Sequence, residues 1–194
     1  MRIVGVLLAA GRGERFGGAK LRAPLPHSTP DIAVGTPIGV AACRHLVLAV
    51  PETVAVLRPG DDALADELSN AGARVVVCAD ADRGMGRSLA CGVRVAHDAD
   101  GWIVALADMP WVRPATIRAL VEALAGGADI VAPSYLGERG NPVGFSRRHF
   151  AALTALQNDE GARAIVAANR ETMTLQIGDD AGVVRDVDLK TDLR

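Results

Sequence analysis

Five short apolar runs alternate with stretches of helical spacing through the first two thirds of the chain. They are rich in branched residues, as strands buried on both faces of a sheet are, and cover residues 3–8, 53–57, 74–78, 102–107 and 130–133. Helices are predicted between them at 38–49, from Asp61 or Asp62 to about Asn70, at 89–97, and from Pro114 to near Gly126. This alternation predicts an α/β fold, a three-layer α/β/α sandwich with a mostly parallel sheet.

The final third of the chain is less regular. A long loop over 135–142 leads into a short predicted strand, 143–145, and then into a helix over about 147–156. A second short helix follows Arg163, and residues 173–177 and 183–184 have the pattern of a late strand pair before an Asp-rich tail. Because no linker-like composition divides the sequence, we expect a single domain over residues 1–194.

Composition and charge exclude several classes of protein. The 194 residues are 49% hydrophobic with a formal net charge of −2, so nothing indicates a nucleic acid or an anionic membrane as partner. Three widely spaced cysteines, Cys43, Cys78 and Cys91, fit neither a disulfide framework nor a zinc ribbon, and each is expected to be a small apolar residue in the core. We therefore expect a cytoplasmic protein with no membrane-spanning segment.

The loop after the first predicted strand has the composition of a phosphate-binding loop. Between Gly11 and Lys20 it carries four glycines, two arginines and a lysine. Glycines let closely spaced N–H groups surround an anion, and the cations add charge-assisted bonds. A P-loop is excluded because Leu21 stands where Ser or Thr would follow the lysine, and the dinucleotide fingerprint fails at Phe16. The alternative to a phosphate-binding role is that this loop is only a flexible, solvated connection between two elements.

A carboxylate at the end of the fourth predicted strand is a candidate metal ligand. In an open parallel sheet the loops after the strands meet at one edge, which brings together the glycine loop, residues 83–88 and Asp108. An aspartate beside a polyphosphate loop suits Mg²⁺, which takes one or two carboxylates together with phosphate oxygens. The alternative role for Asp108 is to cap the following helix.

The chain resembles the nucleotidyltransferases that handle molybdenum cofactor, a branch of the nucleotide-diphospho-sugar transferase superfamily with a Rossmann-like fold. The resemblance is strongest in Leu8-Ala9-Ala10-Gly11-x-Gly13-x-Arg15-Phe16-Gly17-x-x-Lys20, clear in Gly84-Met85-Gly86-Arg87-Ser88-Leu89 and Leu106-Ala107-Asp108-Met109-Pro110, and looser in the tail Asp186-Val187-Asp188-Leu189-Lys190-Thr191-Asp192-Leu193. Ala107 replaces a usual glycine, and Leu189-Lys190-Thr191 replaces a usual Thr-Pro-Glu.

By this resemblance, the nucleotide-binding part covers about residues 1–110. Arg15, Lys20 and Asp108 take catalytic roles, and Asp108 and Asp188 hold Mg²⁺, with Mn²⁺ as an alternative. The residues implied to bind the nucleoside triphosphate are Leu8, Ala9, Ala10, Gly11, Gly13, Arg15, Lys20, Gly84, Met85 and Ser88. A solvated acidic tail is the alternative for Asp188.

The acceptor-binding part, about residues 111–194, is implied by two further segments. Arg139-Gly140-Asn141-Pro142-Val143 resembles a family segment that usually reads Arg-Gly-His-Pro, and Asp159-Glu160-Gly161-Ala162-Arg163 resembles its Asp-x-Gly-Ala-Arg stretch. In the family both border the pterin-phosphate site, which implies acceptor-binding roles for Arg139, Asn141, Pro142, Asp159, Gly161 and Arg163. None of the four histidines has catalytic or metal-ligand spacing.

The activity implied by the resemblance is transfer of CMP from CTP to a phosphorylated pterin-type acceptor, with release of pyrophosphate. Ala9-Ala10-Gly11 is similar to the cytidylyl form of the motif, and a guanylyltransferase using GTP is the nearest alternative. A sugar-phosphate nucleotidyltransferase, an inactive nucleotide-binding regulator or cofactor chaperone, and an NAD-type dehydrogenase are more distant alternatives. A molybdoenzyme or a cofactor chaperone is an expected protein partner.

Overall fold

A mixed sheet with helices on both faces organises the chain. The computed structural model describes residues 1–157, 159 and 161–193. Asn158, Glu160 and Arg194 lie outside the described residues, and Glu160 is part of the predicted acceptor segment 159–163. The strands are β1 (Ile3–Leu8), β2 (Thr53–Leu57), β3 (Arg74–Val77), β4 (Gly101–Leu106), β5 (Ile130–Tyr135), β6 (Glu138–Arg139), β7 (Val143–Ser146) and β8 (Thr174–Ile177). The helices are α1 (Ile38–Ala49), α2 (Asp62–Asn70), α3 (Met85–Val95), α4 (Pro114–Ala125), α5 (Phe150–Thr154) and α6 (Arg163–Ala168). In the described part of the chain, no helix has the length and apolar character needed to cross a membrane.

The strand order is β3-β2-β1-β4-β7-β5-β6, with β8 paired to β5 outside this path. β1, β2, β3 and β4 pair in parallel, whereas β7 runs antiparallel to both β4 and β5. The predicted α/β class and mostly parallel sheet are therefore confirmed. The fifth predicted strand does not pair with the fourth, because β7 is inserted between them.

Two apolar layers cover the sheet, one on each face. Alternate residues of a strand point to opposite faces, so Val4 and Val6 of β1 pack with α3, whereas Leu7 packs in the layer of α1 and α4. Gly92 lets α3 approach the sheet closely, since a Cβ there would lie 2.6 Å from a methyl of Val6. The three-layer arrangement follows directly from these two cores, and α3 is held rigidly against β1.

The cysteines have the predicted role. Cys43 and Cys78 are buried, Cys91 is partly buried, and all three are free thiols. Burial raises the pKa of Cys43 to about 11 and that of Cys91 to about 11. They therefore behave as small core residues rather than as nucleophiles.

The structure departs from the predicted elements at several boundaries. Helix α3 begins at Met85 rather than Leu89, and the helix expected over 147–156 divides into a 3₁₀ turn at Arg147–His149 followed by the short α5. The predicted late strand pair is wrong in its second half. Residues 183–184 belong to a 3₁₀ turn, Ala181–Val184, and β8 pairs in parallel with β5.

Asp180 is the physical reason for that turn. Its buried carboxylate, in a residue only 5% exposed, accepts hydrogen bonds from the Gly182 N–H at 3.0 Å, the Arg113 N–H at 2.8 Å and the Thr116 hydroxyl at 2.6 Å. These bonds turn the chain and cap the first turn of α4 from outside the helix. Asp180 thereby ties the tail to the segment that follows β4.

Two glycines let the tail pass between neighbouring segments of backbone. A Cβ on Gly182 would lie 2.3 Å from the Trp111 carbonyl oxygen, and one on Gly140 would lie 2.4 Å from the Val183 carbonyl oxygen. The Asn141 N–H donates to the Val183 carbonyl at 2.8 Å, and the Val187 N–H donates to the Asp108 carbonyl at 2.9 Å. Residues 181–187 are thus threaded between the turn after β4 and the loop before β7.

His45 is the most deeply buried histidine. It lies on α1 and is 3% exposed. Burial lowers its pKa below the ordinary value of 6.5, although the Asp31 and Asp180 carboxylates and the Pro110 and Val112 carbonyls oppose the shift. The folded protein therefore favours a neutral imidazole at this position.

Asp180→Ala is expected to lower the free energy of unfolding by about 3 kcal/mol, since it removes a buried carboxylate and leaves its donors without an acceptor. For a domain of this size that loss corresponds to a decrease in melting temperature of roughly 6–12 °C. Asp179→Ala is the matched control: Asp179 is 94% exposed and forms a surface ion pair with Arg113, so its removal should leave the melting temperature nearly unchanged. Similar melting temperatures for the two variants would contradict the anchoring role of Asp180.

Lowering the pH below about 6.5 is expected to destabilise the protein through His45. The unfolded chain binds a proton there near pH 6.5, whereas the folded chain binds it only at lower pH, so the free energy of unfolding falls as the pH falls through this window. Urea denaturation from about pH 8 to about pH 5.5 measures the slope. His45→Leu should flatten it, while the exposed control His27→Gln should not. An unchanged slope in His45→Leu would refute the assignment.

Candidate functional site

The loops after β1, β3 and β4 meet at one edge of the sheet, as predicted, and enclose a cleft of about 320 Å³. Seven of the residues predicted to bind a nucleotide line it, namely Leu8, Ala10, Gly11, Lys20, Gly84, Met85 and Ser88, together with Asp108. Ala9 is instead buried in the core beneath the loop, and Gly13 and Arg15 lie beside the cleft without lining it. The cleft has the size and partly apolar lining of a small-molecule site.

The glycine loop directs its two cations by tight turns. Gly13 precedes the 3₁₀ turn Glu14–Phe16 with φ 62°, and Ala19 precedes a second 3₁₀ turn with φ 43°. Glycine is required at position 13, because a Cβ there would lie 2.9 Å from Lys20 Cβ. Phe16 is buried and anchors the loop. The result is an inward-facing Lys20, with a side chain 11% exposed, and an Arg15 side chain that is 76% exposed.

An ion-pair network joins this loop to the turn after β4 and to the tail. Lys20 Nζ lies 2.7 Å from Asp108 Oδ2 and 3.7 Å from Asp188 Oδ1, and Arg15 Nη1 lies 2.7 Å from Asp188 Oδ2. The predicted pair of cations and the predicted pair of carboxylates are therefore brought together at one end of the cleft. Of these three contacts, the Lys20–Asp108 pair has the least exposed side chains.

A third carboxylate completes this cluster and was missed by the sequence reasoning. Ligand atoms of Asp108, Asp186 and Asp188 all lie within 4.8 Å of one another. Burial, together with the like charges of Asp108 and Asp188, raises the pKa of Asp186. The Asp-x-Asp spacing was the available signal, since alternate residues of an extended segment point to the same side.

The donor set of this cluster suits a hard divalent cation. Three carboxylates lie together with two cations, Arg15 and Lys20. Carboxylate oxygens are the ligands that Mg²⁺ and Mn²⁺ take in proteins. The tail is held in place by Asp192, whose carboxylate accepts the Asp188 and Leu189 N–H groups at 2.8 and 2.6 Å, and these bonds lower its pKa.

The start of α3 forms the opposite wall of the cleft. The Met85 N–H donates to Asp159 Oδ1 at 3.2 Å, so Asp159, predicted to border the acceptor, in fact lines the cleft predicted for the nucleotide. Arg12 and Asp82, which the sequence reasoning did not select, pair across the mouth at 2.9 Å. The remaining unselected lining residues are Leu21, Ala81 and Leu106.

A second cavity of about 150 Å³ adjoins the first and shares Leu8, Met85 and Leu106 with it. Arg139, Asn141 and Arg163 line this cavity, so the structure brings together three of the residues predicted for the acceptor. Pro142 borders a smaller space beneath, and Gly161 packs against Met85, with its Cβ position 3.1 Å from Met85 Sδ. Two adjoining cavities, each lined by cationic side chains, have the character of sites for two anionic ligands side by side.

Comparison with known proteins identifies the family. The family model of the MobA-like NTP transferase domain matches residues 5–173. Purine catabolism protein PucB of Bacillus subtilis (strain 168) is 33% identical over 171 residues, covering 87% of this chain and 82% of that protein. Nicotine blue oxidoreductase of Paenarthrobacter nicotinovorans is 31% identical over 193 residues, covering 96% of this chain and 92% of that protein.

Solved structures show the same fold. Rv0371c from Mycobacterium tuberculosis H37Rv superposes with a TM-score of 0.82 at 30% identity, covering 99% of this chain and 95% of that one. A structure of Rv0371c in complex with manganese superposes with a TM-score of 0.78 at 27% identity, covering 99% of this chain and 96% of that one. The match to the family model over most of the chain, joined to this fold and cleft, shows that the protein belongs to the MobA-like NTP transferase family and is a nucleotidyltransferase.

Proposed function

We propose that this nucleotidyltransferase transfers CMP from CTP to the terminal phosphate of a phosphorylated pterin-type acceptor, the molybdopterin form of molybdenum cofactor. An oxygen of the acceptor phosphate attacks the α-phosphorus of CTP. The bond from that phosphorus to the oxygen bridging to the β-phosphorus breaks, and pyrophosphate leaves with the electron pair. No oxidation or reduction takes place.

One observation carries this proposal: the Lys20 ammonium lies 2.7 Å from the Asp108 carboxylate at the end of the cleft. The pair joins a glycine-rich anion loop to a carboxylate cluster, and this is the combination that a triphosphate with its metal requires. The acceptor is already an anion, so the reaction needs positioning and charge stabilisation more than a strong base.

Within this reaction, Lys20 and Arg15 hold the β- and γ-phosphates and stabilise the charge on departing pyrophosphate. The wall formed by the start of α3 holds the nucleoside, with the Ser88 hydroxyl and the backbone of Gly84 and Met85 as its polar groups. Met85 borders both cavities, which supports a position beside the reacting phosphates.

Asp108 and Asp188, with Asp186 as a third ligand, would hold the metal. When bound there, Mg²⁺ or Mn²⁺ neutralises phosphate charge and aligns the reacting oxygens. A solved structure of the similar Rv0371c is a complex with manganese, which supports the binding of a divalent ion. The close grouping of three carboxylates supports it independently.

For the acceptor, the smaller cavity supports an anionic ligand. Arg139 and Arg163 line it, and a guanidinium can bind a phosphate through two parallel hydrogen bonds. Asn141, where the family usually has histidine, offers an amide that donates and accepts without titrating. A molybdoenzyme or a cofactor chaperone would supply or receive the cofactor.

For the base, the Ala10 methyl supports CTP over GTP. Ala10 lines the cleft, so its side chain occupies space that a glycine would leave to a larger purine. GTP remains the alternative nucleotide. A second candidate function, an oxidoreductase activity, is favoured by one observation, the 31% identity to nicotine blue oxidoreductase. If a nicotinamide dinucleotide served as the reductant, it would bind without a metal requirement.

A thermal-shift panel of CTP, GTP, ATP and UTP, each with and without Mg²⁺, tests the nucleotide assignment. At a hundred times its dissociation constant, CTP with Mg²⁺ should add about 2.7 kcal/mol of stability, a shift of roughly 5–10 °C for this size of domain. A larger shift with GTP would contradict CTP specificity. Protection by NAD or NADP that is indifferent to Mg²⁺ would favour the oxidoreductase instead.

Asp108→Asn is expected to reduce pyrophosphate release by at least about a hundredfold, because it removes a charged oxygen ligand and the partner of Lys20 while keeping the side-chain volume. The assay is coupled pyrophosphate detection with CTP, Mg²⁺ and molybdopterin. Asp66→Asn, an exposed aspartate on α2 outside both cavities, is the control and should keep full activity. Undiminished turnover by folded Asp108→Asn would remove this carboxylate from the mechanism.

A further inference from the structure

His45 combines deep burial with hydrogen-bonding groups that find no protein partner. Among the described residues neither Nδ1 nor Nε2 has a partner with full hydrogen-bond geometry, although the Val112 and Pro110 carbonyls lie close enough to act on the pKa of His45. A neutral imidazole has one N–H donor and one acceptor nitrogen, and buried polar atoms are satisfied in the great majority of proteins, by ordered water where protein groups are lacking. The position therefore requires an explanation beyond apolar packing.

A small cavity beside His45 supplies one. Its volume is about 10 Å³, close to the space that one water molecule needs. Most of its lining is apolar, from α1, α4 and β4, but Asn141 also borders it. The main-chain carbonyls of Val112 and Pro110 lie beside the His45 imidazole and can accept from a water bound there. The site thus offers polar partners for a single water and no room for a larger ligand.

The location of this cavity connects it to the candidate site. Met109 and Val112 line it, and they belong to the turn that carries Asp108. The ends of that turn are already fixed, by the bond from the Val187 N–H to the Asp108 carbonyl and by the Asp180 cap on the Arg113 N–H. Asn141 borders both this cavity and the smaller of the two clefts. His45 itself lines neither cleft, so it does not touch substrate.

We propose that His45 is a positioning residue: through one water molecule held in this cavity it fixes the middle of the turn at 109–112 and the Asn141 side chain, and through that turn it orients the Asp108 carboxylate. The proposal rests on the proposed metal role of Asp108. It assigns the imidazole a task that an apolar side chain of similar size cannot perform, because only a polar group can hold the water.

Three variants separate this role from packing. His45→Leu keeps an apolar side chain but removes both polar atoms, whereas His45→Gln keeps a donor and an acceptor. Ile117→Val is the matched control, since Ile117 is a buried residue lining the same cavity and its shortening disturbs packing without touching hydrogen bonds. Melting temperatures establish that each variant folds.

The measurement is the dissociation constant for Mn²⁺ in the presence of CTP, followed by electron paramagnetic resonance, which needs no turnover. We expect His45→Leu to weaken Mn²⁺ binding by roughly tenfold, the lower end of the effect known for groups that hydrogen-bond to a metal ligand, because His45 acts on Asp108 only through the water and the turn. His45→Gln and Ile117→Val should stay within about twofold of the wild type. A crystal structure should show one ordered water between His45 and the main chain of the turn.

A dry cavity, or wild-type Mn²⁺ affinity in folded His45→Leu, overturns the proposal. Equal weakening by Ile117→Val also overturns it, since packing alone would then explain the effect. The proposed function fails separately: a wild-type protein that binds Mn²⁺ but transfers no nucleotide refutes the reaction and leaves the positioning role of His45 standing.

Discussion

The contact of Lys20 with Asp108, extended by Arg15 and Asp188, is the interaction on which the candidate site depends. The two cations are paired with carboxylates from the turn after β4 and from the tail. Under the proposed function, a triphosphate would take over the cations, and the released carboxylates would repel one another unless a divalent ion joined them. The proposal therefore implies that nucleotide binding and metal binding are energetically linked, since each would remove a cost created by the other.

The rest of the fold brings the side chains of these ion pairs, which come from distant parts of the sequence, into direct contact. β1 and β4 lie side by side in register, which aligns the glycine loop with Asp108. The tail reaches them by the route fixed at Asp180, where a buried carboxylate joins it to the first turn of α4. The ion-pair network therefore depends on the parallel pairing of β1 with β4 and on the buried carboxylate of Asp180.

The local sequence pattern predicted the strands and helices of the first half well. It did not predict the features that depend on contacts between distant segments. The bounds of β1, β2 and α1 agree with the apolar runs, because buried parallel strands and their covering helices have strong local signals. The insertion of β7 between β4 and β5 and the turn at 181–184 depend on hydrogen bonds to distant segments, including those of Asp180, and no local pattern encodes them. The same reason explains the site. Arg15, Lys20 and Asp108 stand in motifs, and Asp186 has only the weak signal of its Asp-x-Asp spacing. Arg12 and Asp82 are identified as a pair only by their proximity in space.

Gly140 and Gly182 carry an implication for how such a chain can vary in evolution. Neither lines the two adjoining cavities of the candidate site, yet at each the main chains of two segments approach so closely that a single methyl group would meet a carbonyl oxygen. Any side chain there would push the tail outward and carry Asp186 and Asp188 with it. Substitution of either glycine is therefore expected to disturb the acidic cluster, although neither residue belongs to it. A related protein with a larger residue at either position would need a different path for its final segment to keep the cluster assembled.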